Sequence, residues 1–286
     1  MADKHFVFTM TTGRSATAYL AEFLGANLPD VESHHELLGW DDFGLNTPDV
    51  SHMTLFNSQG NIEKVQEFWR HKLARIVVKP NRFYVETAHT LMKAGLIENL
   101  AALTKAGRVY LIDLQRDPVA TIKSFRARFD FLNKGNLWLW YLDPDYPRNL
   151  SNSKELSKFG YNGLCLWYIT EIRLRAAYYE KLLAGNPNVQ VLHITMEELT
   201  RPDGASRLLG DLGVAKRPGE LITPQAQNVG PKTDDWTQGE EESLRKLVAA
   251  AQFDASALAE IAIKQGLGFE PALPGTALPG STQRRA

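Results

Sequence analysis

The sequence predicts an α/β fold, a mostly parallel central sheet flanked by helices, and three observations carry that expectation. Short apolar runs of strand length alternate with longer segments of helical period. One of those runs, Val109-Tyr-Leu-Ile-Asp-Leu, is almost continuously apolar, as a central strand covered on both faces must be. The 286 residues are 44% hydrophobic, which is ample for a sizeable buried core.

In chain order, residues 5–10 form the first strand and residues 15–24 the first helix, with Leu20, Phe23 and Leu24 as its inward face. Apolar runs of strand length follow at 31–34 and 75–79, with a helical pattern at 63–72 between them. A long helix is expected over 90–106, then the central strand over 109–115. Asp117 caps the next helix, 118–128, whose first residue, Pro118, needs no N–H donor at that position. The second half is mostly helical, at 164–184, 205–212 and 239–252, with one strand at 189–194. No linker of Gly, Ser or Pro interrupts the middle, so residues 1–270 read as a single domain. Across 271–286 Pro, Gly, Ala and Thr dominate, the composition of a flexible tail.

Lysine plus arginine number 32 and aspartate plus glutamate 33. Such a balance lacks the broad positive field that holds a protein on nucleic acid or anionic lipid, so an anion has to be gripped locally. No stretch approaches the roughly 18 apolar residues of a membrane span, and the apolar run near the N-terminus is too short for a signal peptide. Cys165 has no second cysteine to pair with, which suits a reducing, cytoplasmic setting and offers no thiolate cluster for zinc.

The segment Thr11-Thr-Gly-Arg-Ser-Ala-Thr17 falls between the first strand and the first helix. A tight loop there delivers backbone N–H groups and a helix N-terminus to one point, an arrangement that binds anions. Arg14 adds charge and a bidentate fork, while Ser15 and Thr17 add hydroxyls that could instead cap the helix. The Gly-Lys-Ser/Thr of a Walker A loop is missing, which counts against ATP or GTP hydrolysis. Arg116 projects from the carboxyl end of the central strand, where ligands of open α/β sheets bind.

Taken together, Thr11, Thr12, Gly13, Arg14, Ser15, Ala16 and Thr17 near the N-terminus, and Arg116-Asp-Pro with Ser124 downstream, resemble the two nucleotide-binding motifs of the sulfotransferase family. Val191-Leu-His-Ile-Thr-Met-Glu-Glu-Leu-Thr-Arg-Pro and Leu208-Leu-Gly-Asp-Leu-Gly-Val extend the resemblance over most of the chain. The resemblance implies a P-loop-like fold and a co-substrate, 3′-phosphoadenosine 5′-phosphosulfate (PAPS). Its 5′-phosphosulfate would be held by the loop and its 3′-phosphate by Arg116 and Ser124. Ala16 stands where the family commonly has glycine, and a residue already entering the helix accommodates alanine. Asn228-Val-Gly-Pro-Lys232 loosely resembles the basic segment that closes over the nucleotide, which makes Lys232 a further contact.

Sulfuryl transfer also needs a proton acceptor, and Glu36 is the first candidate by that resemblance, with His35 second because imidazole titrates nearer neutrality. If the strand runs on through them, His34 and Glu36 face one way and His35 the other. No third ligand stands at a metal-binding spacing from His34 and His35, so no metal is expected. Glu86 or His89 could touch the acceptor or cap the helix near Thr90. The aromatic stretch around Trp138, Trp140 and Tyr141 either lines an acceptor site or packs against the core or a second subunit, which leaves a homo-oligomer open. The expected partner is a small-molecule, lipid or saccharide hydroxyl, with no nucleic acid and no membrane span. A nucleotide-dependent kinase, or a nucleotide-binding protein without catalysis, is the alternative.

Overall fold

Strands at Lys4–Met10 (β1), Val31–His35 (β2), Phe83–Thr87 (β3), Gly107–Gln115 (β4) and Val189–Thr195 (β5) make one sheet in this computed structural model of the chain. Its order is β2-β3-β1-β4-β5, and every neighbouring pair is parallel. The structure describes residues 4–37, 39–128, 130, 141–225 and 236–268. Among these no helix is long and apolar enough to cross a membrane.

The period-2 alternation of the strands divides the core into two layers. Phe6, Phe8, Val109 and Leu111 face one side, where helices α2 (Val50–Gln59), α3 (Glu63–Val77) and α7 (Gly160–Leu183) bring Phe56, Trp69 and Trp167. Val7, Tyr110, Ile112 and Leu192 face the other, against Leu20 and Phe23 of α1 (Thr17–Asn27) and Leu208 and Leu209 of α9 (Pro202–Asp211). Each fully buried Leu or Phe in these layers contributes about 2 kcal/mol. Short helices α4 (Ala101–Ala106), α6 (Lys154–Ser157) and α8 (Met196–Leu199) join the larger ones. Helix α5 (Pro118–Ala127) leaves β4, with Asp117 accepting from the Ala120 N–H at 2.7 Å and Pro118 in its first turn. Helices α10 (Gln238–Ala250) and α11 (Ala255–Lys264) bury Leu244, Ala259 and Ala262 in the layer that holds α7.

Three sequence expectations are corrected. Residues 75–79 are the end of α3 and the turn after it, because buried Val65, Phe68, Trp69, Lys72, Leu73 and Ile76 sustain a 3.6-residue period that outruns the local apolar run. Val78, read as part of a strand, is 77% exposed. The strand in this region is β3, central between β2 and β1. Finally, the helix expected over 90–106 is broken into turns at Met92–Ala94 and Ile97–Asn99 before α4. Gly95 is the cause: its φ is +91°, and a Cβ there would meet the Phe56 ring at 2.9 Å. The expected tail, 271–286, lies outside the described residues.

Candidate functional site

The parallel order brings the carboxyl ends of β1, β2, β3 and β4 to one edge of the sheet. From β1 the chain enters a loop that left-handed residues fold back on itself: Gly13 at φ 78°, Arg14 at 55° and Ala16 at 64°. The Thr11 hydroxyl ties the loop to β4 by donating to the Leu114 carbonyl at 2.8 Å. Thr12 Oγ1 and buried Ser15 Oγ lie 3.0 Å apart beneath it. No side chain caps α1, so the hydroxyls of Ser15 and Thr17 do not take the capping role. The first amides of that helix lack intrahelical partners and open onto the loop, the arrangement that suits an anion. One expectation fails here. Ala16 stands outside the helix as its N-cap residue in the left-handed region, where alanine costs about 1 kcal/mol, so it is not accommodated as a helical residue would be.

Arg116 extends from the end of β4 to the same loop, its Nη1 donating to the Arg14 carbonyl at 2.8 Å. The two arginines are thus neighbours, though their guanidinium groups do different things. Arg14 is clasped at both ends by Asp130, Nε to Oδ2 at 2.8 Å and Nη2 to Oδ1 at 2.9 Å. Burial is the largest influence and penalises the Arg14 charge, but the hydrogen bonds it donates to Asp130, together with the electrostatic pull of Tyr141, Asp130 and Glu36, hold the group above its ordinary value. Arg116 has no carboxylate partner among the described residues, and burial lowers its pKa. Arg173 of α7 donates to the Arg116 carbonyl at 3.2 Å and lines the same small cleft with Thr11, Thr12 and Gln115. Ser124 is half-buried on α5, and among the described residues no hydrogen bond joins it to Arg116. Lys232, Trp138 and Trp140 lie outside the described residues.

On the other flank of the loop stand Glu36, His35 and His89. Glu36 leaves β2 with φ 40°, a left-handed turn that ends the strand alternation. Its carboxylate therefore does not face with His34, which pairs with Glu32 at 2.8 Å. It lies between two imidazoles instead, Oε2 3.9 Å from His35 Nε2 and Oε1 3.8 Å from His89 Nε2. His35 Nδ1 donates to the Thr87 carbonyl at 3.0 Å. The His89 ring lies against Gly13, whose missing Cβ would sit 3.2 Å from its Cγ, and stacks on Tyr141 at 5.4 Å. Behind His89 a chain of polar groups returns to the loop: Lys93 Nζ at 2.9 Å from His89 Nδ1, then the Tyr168 hydroxyl at 3.0 Å, then the Thr12 carbonyl at 2.9 Å. Glu86, considered for the acceptor, is fully buried in an ion pair with Lys72 at 2.7 Å and takes no part.

Two solved sulfotransferases are similar to this chain. One is from Alicyclobacillus acidocaldarius, with 16% identity, a TM-score of 0.45, and coverage of 92% of this chain and 97% of that one. The other is the sulfotransferase domain of the olefin synthase of Synechococcus, with 17% identity, a TM-score of 0.46, and coverage of 91% and 94%. No family model and no curated protein matches the sequence.

Sequence reasoning missed Asp130, Lys93, Tyr168 and Arg173. Asp130 follows the Arg116 helix, and its acidity is the only local signal it carries. The other three sit in segments read as ordinary helix, and only packing turns them toward the loop.

Proposed function

We propose that this chain transfers a sulfuryl group from PAPS to a hydroxyl on a carbohydrate, lipid or small metabolite. One observation carries the reading most. The arginine at the end of β4 reaches the loop after β1 at 2.8 Å, and Glu36 with His89 borders that same loop, so anion grip and proton acceptor share one edge. The residues fit a nucleotide with phosphate at both ends: loop amides and Arg14 for the 5′-phosphosulfate, Arg116 and Ser124 for the 3′-phosphate.

PAPS would supply an activated sulfur whose bridging oxygen leaves with the phosphate. The loop amides, with Arg14, stabilise charge growing on that oxygen as the bridging S–O bond breaks. At the same time the acceptor oxygen forms the new S–O bond, and its proton passes to the Glu36–His89 pair. Partly buried side chains at the strand ends favour this exchange by limiting water around the developing charge. Cys165, with no second cysteine to pair with, accords with a reducing compartment such as the cytoplasm.

The test is transfer of radiolabelled sulfate from PAPS into a panel of hydroxyl compounds. Labelled product is expected from the wild type, and Glu36→Gln should lower turnover by about a hundredfold while nucleotide affinity stays put. Failure to bind 3′,5′-bisphosphoadenosine, together with magnesium-dependent binding of ATP, would turn the assignment to a kinase.

A further inference from the structure

Helix α7 reaches both halves of the anion site through main-chain carbonyls. Tyr168 donates its hydroxyl proton to the Thr12 carbonyl, in the loop after β1, at 2.9 Å. Roughly a turn and a half further along the same helix, Arg173 Nη2 donates to the Arg116 carbonyl at 3.2 Å. Arg116 in turn donates to the Arg14 carbonyl at 2.8 Å. A line of guanidinium-to-carbonyl bonds thus runs from α7 to the end of β4 and on to the loop.

The middle member of that line is where the backbone has least support of its own. Arg116 stands between Gln115, the last residue of β4, and Asp117, the N-cap of α5, so its peptide belongs to neither the sheet ladder nor the helix. A side chain mounted there is aimed only as well as that peptide is held. Asp117 is secured, its carboxylate accepting from the Ala120 N–H at 2.7 Å and its carbonyl from the Thr121 hydroxyl at 2.8 Å. Arg173 does the same for Arg116. Its guanidinium forms no ion pair among the described residues: Asp113, which draws its charge, is engaged by His193 at 3.1 Å and by the Gln115 amide at 2.7 Å, and Asp117 caps α5. Arg173 is therefore committed to a main-chain oxygen rather than to a carboxylate.

We propose that Arg173 is a positioning residue for the 3′-phosphate: by holding the Arg116 carbonyl it fixes the peptide from which the Arg116 guanidinium is aimed, so that discrimination between nucleotides with and without a 3′-phosphate depends on Arg173 through Arg116. The inference rests on the nucleotide assignment above and adds to it the residue that orients one of its two grips. An Arg116 already oriented spends less of its binding free energy on being ordered by the ligand, and that saving is what Arg173 contributes. The effect is confined to one end of the nucleotide, because the 5′ end is held by the loop, which Tyr168 and Thr11 fasten independently.

Calorimetric titration of the full chain with 3′,5′-bisphosphoadenosine and with 5′-AMP, both without magnesium, tests this. Arg173→Met should weaken the bisphosphate about fivefold, the worth of one hydrogen bond, and leave 5′-AMP within about twofold of wild type. Retained 5′-AMP binding also shows that the variant is folded. In the Arg116→Met background the same substitution should change bisphosphate affinity by less than about twofold, because its effect passes through the missing side chain. A further fivefold loss in that double variant would make Arg173 a direct phosphate contact and overturn the proposal. Parallel losses for both nucleotides, or none for either, would reduce Arg173 to a packing role. Arg173→Lys, which keeps the charge but loses the planar fork, carries the same comparison if the methionine variant does not fold, with the bisphosphate alone weakened and by less. A wild type indifferent to the 3′-phosphate would sink the assignment of that group to Arg116 and this inference with it. A wild type that prefers the bisphosphate, beside Arg173 variants that prefer it equally, would sink the inference alone.

Discussion

At Ala16 the backbone takes φ 64° and ψ 34°, a conformation glycine adopts freely and alanine does not. Ala16→Gly should therefore raise the free energy of unfolding by about 1 kcal/mol, read from urea titrations. An unchanged or lower midpoint would mean that the loop relaxes around the methyl group. Asp130 poses the opposite problem, because it fills both faces of the Arg14 fork that an anion would use. Asp130→Asn should tighten binding of 3′,5′-bisphosphoadenosine about fivefold, the equivalent of removing a competing pair worth about 1 kcal/mol. Calorimetric titration measures it, and weaker binding would show instead that Asp130 holds Arg14 in its binding pose. The loop from Thr11 to Thr17 was legible because its chemistry is contiguous in sequence. Asp130 and Lys93 were not, since a lone carboxylate after a helix and a lysine in an apolar turn acquire meaning only from what they meet.

Among the elements, four of the five strands were legible from apolar runs alone, and the exception is instructive. Arg75-Ile-Val-Val-Lys looks like a strand in isolation, yet the buried stripe of α3 extends through Ile76 and decides the matter. Phe83-Tyr-Val-Glu-Thr hides a central strand because it contains a glutamate. That glutamate is tolerated only through Lys72 of α3 at 2.7 Å and the Tyr84 hydroxyl at 2.8 Å, a tertiary arrangement no local pattern shows. Lys72→Met would leave the Glu86 carboxylate buried with one partner fewer and should destabilise the protein by about 3–5 kcal/mol in urea unfolding. A loss below about 1 kcal/mol would show that water replaces the amine.

A second tie between elements titrates. His193 of β5 is bound by Asp113 of β4 at 3.1 Å and Glu180 of α7 at 3.0 Å. The hydrogen bond His193 donates to Asp113 leads, burial opposes, and the pKa is pushed up from 6.5 to about 9. A raised pKa stabilises fully below the unfolded value, and that contribution is lost as pH rises through the folded one. Stability of the wild type should therefore decline between about pH 6.5 and 9 relative to His193→Gln, which lacks the group. Parallel curves for the two proteins across that window would dissolve the tie.

Over the whole molecule the near balance of 32 basic and 33 acidic residues gives no general positive field, so the proposed nucleotide would have to be held by the few groups gathered at the sheet edge. If different arginines grip the two phosphate ends, as proposed, nucleotide binding can be read without knowing the acceptor. A ligand present at a hundred times its Kd stabilises the folded state by about 2.7 kcal/mol, which for a chain of this size moves the melting temperature by roughly 5 °C or more. 3′,5′-bisphosphoadenosine should produce that shift without magnesium. At the same concentration 5′-AMP, which lacks the 3′-phosphate, should produce a smaller one. The difference between the two ligands should vanish in Arg116→Met, because on this reading that side chain, which forms no ion pair among the described residues, is the group that distinguishes them. Equal shifts for both nucleotides in the wild type would show that Arg116 serves only to brace the loop at the Arg14 carbonyl, and the 3′-phosphate would then have to be sought elsewhere on the sheet edge.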